Sequence, residues 1–169
     1  MLGLSYRAVL PGLAKEVYRA GPEIMGWLAL AAGLGALTGA ALISALSKNL
    51  RLRRLIIVGC VTAGISLMVF ATASRLYLGI PFLFLAGLGY TMTTATSRAV
   101  SQVISDPAMR GRVTGLTMAA YFGGMALGNF VTGRVAESFG CPASMAICGV
   151  SFLMLAFSMF ALRGRQASI

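Results

Sequence analysis

The stretch from Asp106 to Gly140 reads DPAMRGRV, then TGLTMAAYFGGMALGNFVTGRV, then AESFG, and its reading decides the fold. A short charged turn with Asp106, Arg110 and Arg112 opens into an uncharged run from Val113 to Gly133. That run holds Gly115, Gly123, Gly124, Gly128 and Gly133. In water each interior glycine weakens a helix by roughly 1 kcal/mol relative to alanine. In a bilayer the backbone has no water to bond instead, so the helix persists. Glycine then admits a second helix at close range, and Gly124-x-x-x-Gly128 has the small-xxx-small spacing that favours this. The stretch predicts a basic cytoplasmic turn leading into a closely packed membrane helix.

The bulk numbers agree. The chain has 169 residues, 58% hydrophobic and 11% charged, with mean hydropathy +0.86. A soluble domain has about 25% charged residues, so this chain lacks the charge to cover a water-facing surface. Its solvent is lipid. Net charge is +10, from 14 Lys and Arg against 4 Asp and Glu. The basic residues sit in short gaps between apolar runs rather than along one face. They read as topology signals and anionic-lipid contacts, not as a nucleic-acid surface. Cys60, Cys141 and Cys148 lack metal-ligand spacing and His is absent, so neither a metal site nor a cofactor is expected.

Taken in order, Met1–Glu23 is interrupted by charges and by Pro11 and Pro22. It is too polar to span and reads as an external stub and loop, the end of a helix whose beginning is missing. Residues 24–169 read as a five-helix transmembrane domain. The spans are about 24–46, 55–73, 76–97 (continuing as helix to 104), 113–135 and 143–162. Gly35 and Gly39 give the first span one face for close helix packing, as Gly124 and Gly128 do for the fourth. Lys48, Arg51, Arg53, Arg54, Arg110, Arg112, Arg163 and Arg165 fall on one side of such a topology. That side is cytoplasmic by the excess of basic residues, which puts the C-terminus inside, in an inner-membrane protein.

The five cores contain almost no ionisable side chain, so the chain alone offers no proton relay. It also lacks a hydrolytic constellation or a phosphate-binding loop, and it is not expected to be an enzyme. The informative polar group lies on the third span. Tyr90, Thr93 or Thr94, Ser97 and Ser101 recur at three- and four-residue steps and share one face. Either they line a cavity that meets a small-molecule substrate, or they bond the preceding turn's carbonyls or a neighbouring helix. Arg98 extends the stripe; it either snorkels to the interface or pairs with a carboxylate from elsewhere. Asp106, Arg110, Gly111 and Arg112 form a turn that reads either as a cytoplasmic latch or as plain topology determination. Asp106, ahead of Pro107, suits a capping role there.

DPAMRGRVTGLTMAAYFGGMALGNFVTGRVAESFG resembles the loop between helices ten and eleven, and helix eleven, of the major facilitator superfamily. The nearest branch is the bacterial multidrug and siderophore exporters related to the enterobactin exporter. SYRAVLPGLAKEVYRAG and GWLALAAGLGALTGAALISAL are similar to the end of helix seven and helix eight of that branch. The resemblance implies an all-α membrane protein equivalent to helices seven (its end) to twelve. In that fold helices seven and ten face the cavity, eight and eleven the other half, and nine and twelve lipid. It implies part of a proton-coupled exporter of small amphipathic molecules working by alternating access. The partners would be the bilayer, an N-terminal half on the same or a separate chain, a small-molecule substrate and the proton. The loop Ser47–Arg54 departs from the family in lacking an Asp and a Gly among its basic residues. The rival expectation is a truncated or remnant fragment, or a helix-packing partner, with no transport of its own.

Overall fold

A computed structural model describes residues 22–46, 52–72, 76–106 and 109–166. These form five helices: α1 (Pro22–Leu46), α2 (Leu52–Thr72), α3 (Leu76–Ile104), α4 (Arg110–Phe139) and α5 (Cys141–Gln166). Most of the expected stub, most of the basic loop before Arg53 and the turn at Ser74–Arg75 lie outside the described residues. So do the side chains of Arg163 and Arg165.

The helix ends follow local chemistry. α1 opens with Pro22, whose missing N–H costs nothing at a first helical position, and Glu23 complements the helix dipole there. α4 and α5 are separated by Gly140 alone. Its φ of 84° is the left-handed conformation that glycine adopts without penalty, and its N–H bonds the Ala136 carbonyl at 3.0 Å. The expected broad turn over Ala136–Pro142 is thus one residue, and both flanking helices run further than their apolar cores. α4 also starts earlier than its uncharged run, so Arg110, Gly111 and Arg112 form its first turn rather than the loop before it.

In space the helices run α1, α3, α2, α5, α4, each packed on the next, with only slight contact between α3 and α4. The core lies along the first four, with Leu28 of α1, Cys60, Leu67 and Phe70 of α2, Leu83 and Ala86 of α3, and Met145 and Cys148 of α5 all but excluded from solvent. Backbones meet directly at these seams. A Cβ on Gly35 would come within 2.0 Å of the Phe84 carbonyl oxygen, one on Gly39 within 2.7 Å of that of Leu88, and one on Gly87 within 2.3 Å of that of Ala32. Gly59 and Gly89 oppose each other between α2 and α3, and Gly64 and Gly149 between α2 and α5. The resemblance directs the glycine face of α1 at the other half of a transporter. In this structure Gly35 and Gly39 are spent inside, against α3.

The outside is apolar. Trp27, Leu37, Leu116, Leu127 and Phe139 are each about two-thirds exposed or more, an arrangement suited to lipid and costly in water. Among the described residues, Gly26–Ala45, Leu52–Thr72 and Cys141–Ala161 are long and apolar enough to cross a membrane. α3 and α4 are longer still, at 29 and 30 residues, but carry the polar side chains. Those side chains make the site.

Candidate functional site

The buried positions of α4, namely Gly124, Gly128 and Thr132, all lie from its midpoint onward, and from Arg110 to Gly123 nothing is buried. That second half is pinned to α5. Thr132 is fully buried, and Ser144 donates to its carbonyl at 3.0 Å. The first half stands off, and a cavity of about 190 Å³ opens between α3, α4 and α5.

Tyr90, Thr93, Thr94 and Ser97 all line this cavity, with Arg98 and Ser101 continuing the same wall of α3. The hydroxyls of Thr93, Thr94 and Ser101 also bond their own helix. Thr93 donates to the Gly89 carbonyl at 2.9 Å and Thr94 to that of Tyr90 at 3.0 Å. The two readings of the stripe are therefore compatible. A hydroxyl that has given its proton to the backbone still offers lone pairs to the cavity. Such self-bonding is what keeps polar side chains tolerable at membrane depth. One residue off the stripe, Thr96 is fully buried and its Oγ1 has no hydrogen-bond partner.

α4 supplies Thr117, Met118 and Tyr121, and α5 supplies Ser151, Phe152 and Leu155. Tyr121 ties the walls together. Its hydroxyl lies 2.7 Å from that of Tyr90, and the Arg98 guanidinium carbon lies over its ring, 4.9 Å from the centroid. Such a cation–π contact is worth roughly 0.5–1 kcal/mol at an exposed site. Arg98 thus leans across onto α4. Sequence reasoning did not single out Tyr121. The available signal was the one tyrosine of this helix, four residues after Thr117 and so on the same face.

The cavity continues along the α3/α4 seam. A small space lined by Arg98, Ser101, Gln102, Thr114 and Thr117 adjoins it, and a shallower one reaches Arg110 through Gln102 and Thr114. The result is a crevice, lined with hydroxyls and one amide, running from Tyr90 to the start of α4. On the far side of the molecule, Ile57, Val61, Leu153 and Phe157 line a purely apolar groove between α2 and α5, suited to lipid chains. Among the described residues no three His, Cys, Asp or Glu come together to hold a metal.

A family model described as a transmembrane secretion effector, of the major facilitator type, matches residues 2–168. The chain belongs to this family. A curated relative, the multidrug efflux pump Tap of Mycolicibacterium fortuitum, is 25% identical over 134 residues, covering 79% of this chain. The chain spans 33% of that relative's length. No solved structure matches. This secretion-effector chain is accordingly an all-α, multi-pass membrane protein of a transporter family.

In the turn at the mouth of the crevice Asp106, Met109, Arg110, Gly111 and Arg112 are exposed. Met109 donates from its N–H to the Asp106 carbonyl at 2.9 Å. The N-cap of α4 is Met109, with no side-chain cap bond. Arg110 reaches back to the Ser105 carbonyl at 3.5 Å, just past the end of α3. Two arginines in the first turn of α4, with no acid beside them, oppose that helix's dipole at roughly 0.3–1 kcal/mol each. A Cβ on Gly111 would meet nothing within 4 Å. Elsewhere Arg53, at the start of α2, donates to the Met159 carbonyl of α5. A basic residue of the 47–54 region thus joins two helices, although that loop lacks the family's Asp and Gly.

Proposed function

We propose that this chain forms the C-terminal part of a secondary exporter in the inner membrane, with its C-terminus cytoplasmic. The observation that carries the reading is the cavity between α3, α4 and α5, which gathers Tyr90, Thr93, Thr94 and Ser97 on one wall. A space with apolar and hydroxyl walls in a lipid-facing protein suits a small amphipathic solute, drug-like or siderophore-like. Placement near the enterobactin-exporter branch belongs to the same proposal. An N-terminal half, on this or another chain, supplies the opposite wall and the proton-carrying acids. Rocking of the two halves exposes the crevice to each side in turn. Arg110 and Arg112 stand where lipid phosphates or helix-end carbonyls of the other half offset their unfavourable place at a helix start, and with Asp106 and Gly111 they serve as the cytoplasmic latch.

The test is uptake of a fluorescent amphipathic dye by inverted vesicles holding this chain with and without a supplied N-terminal half. Gradient-driven uptake that needs both halves, and that Thr94→Trp abolishes by filling the cavity, is expected. Uptake indifferent to the proton gradient and to Thr94→Trp overturns the proposal. No uptake with either arrangement favours a remnant or packing partner.

A further inference from the structure

We propose that the crevice selects solutes that carry an anionic group on an aromatic or otherwise apolar body, with Arg98 as the selecting charge. The inference rests on the reading of the cavity as a solute path and names the class of solute it takes.

The first argument is charge. Among the described residues lining the cavity, Arg98 is the one ionisable group of fixed charge, and no carboxylate faces it. Following the seam outward, the next charged residue is Arg110. A path walled by low-dielectric helices and bearing charge of one sign concentrates ions of the other sign. A cationic solute meets hydroxyl lone pairs here but, among the described lining residues, no carboxylate to neutralise its charge.

The second argument is geometry. The Arg98 guanidinium carbon lies over the Tyr121 ring, 4.9 Å from its centroid, and Tyr121 is itself held by the hydroxyl contact to Tyr90. A cation–π contact consumes no carbonyl or carboxylate acceptor, so guanidinium N–H groups remain to grip a carboxylate, sulfonate or phosphate.

The third argument is the supply of donors. Thr93, Thr94, Ser101, Thr117 and Ser151 each give their hydroxyl proton to a backbone carbonyl. What they offer a solute is lone pairs. Charge-assisted donation to an anion therefore falls to Arg98, while these threonines and serines receive hydroxyl or amine protons from the rest of the solute. Phe152, Leu155 and Met118 supply the apolar bed beside them. Tyr121 acts as a positioning residue for the guanidinium.

Two probes with the same ring system separate charge from shape: 8-anilinonaphthalene-1-sulfonate, an anion, and N-phenyl-1-naphthylamine, which lacks the sulfonate. Binding of each to the whole 169-residue chain in zwitterionic nanodiscs is read by fluorescence, with empty nanodiscs subtracted. Only samples that keep the wild-type helical circular dichroism and elution profile are compared. The anion is expected to bind the more tightly. Arg98→Gln should weaken it roughly tenfold or more while leaving the neutral probe within about twofold. Arg98→Lys should keep part of the preference, Tyr121→Leu should lower it, and Arg98→Glu should reverse it. Equal binding of both probes, unmoved by Arg98→Gln or Arg98→Glu, overturns the anion preference while leaving the cavity reading intact. Absence of protein-dependent binding by either probe overturns the cavity reading, and the anion preference with it.

Discussion

α3 has two kinds of neighbour. Against α1 and α2 it presents Gly87 and Gly89, and the opposing backbones touch. Against α4 it presents Tyr90, Thr94, Ser97 and Arg98, and the helices part around a cavity. The contrast shows how one helix serves as both keel and cavity wall. In lipid no hydrophobic effect drives helices together, so a seam closes where small residues allow backbone contact. It stays open where larger polar side chains face each other and find partners on their own helix. The glycines of the first half of α4 make the point from the other side. Gly115 and Gly123 have nothing within 4 Å of where a Cβ would sit, so glycine alone does not close a seam without a matching surface opposite.

The largest effect expected from this contrast is at Gly87. Gly87→Leu drives a side chain into the Ala32 backbone and should cost about 3 kcal/mol or more, enough to lose folded protein. Gly123→Leu, with open space around it, should leave yield and thermal unfolding in detergent near wild type. Equal damage from both would erase the distinction between sealed and open seams. Next comes Thr96→Val, which removes a buried hydroxyl with no partner at nearly constant shape. It should raise stability by about 1–2 kcal/mol, seen as a higher unfolding midpoint, and a fall would show that the hydroxyl has an unseen partner. Ser144→Ala cuts the bond that pins α4 to α5 and should cost about 1 kcal/mol. The same change should widen hydrogen exchange along the second half of α4 while leaving α1 and α3 protected. The smallest effect belongs to Gly123→Ala, which gains helix propensity in open space and should shift stability upward by less than about 1 kcal/mol.

Much of this architecture is legible in the chain. Apolar runs divided by short polar or charged gaps give the five helices, because lipid rewards an uninterrupted hydrogen-bonded backbone. The three-and-four spacing of Tyr90, Thr94, Ser97 and Ser101 puts them on one face before any neighbour is known. Helix ends are less legible. Arg110 to Arg112 read as loop because charge marks the edge of an apolar core, yet backbone hydrogen bonding carries the helix past that edge. The partner of the Gly35/Gly39 face is not legible either, since small-residue spacing says that a helix docks there and not which one. Tyr121 escapes for a similar reason. Its meaning comes from Tyr90 and Arg98, 31 and 23 residues away in sequence, and only the fold brings them to one place.

The central claim is that water and solute enter between α3 and α4 and nowhere else along α3. Neighbouring residues test it. Ser97 is exposed and lines the crevice, while Thr96 is fully buried against the packed side. Each is changed to cysteine in a chain whose native cysteines are replaced, and labelling by a charged, membrane-impermeant thiol reagent is timed in nanodiscs. Rapid labelling at position 97, slowed by 8-anilinonaphthalene-1-sulfonate, with position 96 inert, is the predicted result. Equal inertness at both positions, or equal reactivity, would contradict the account.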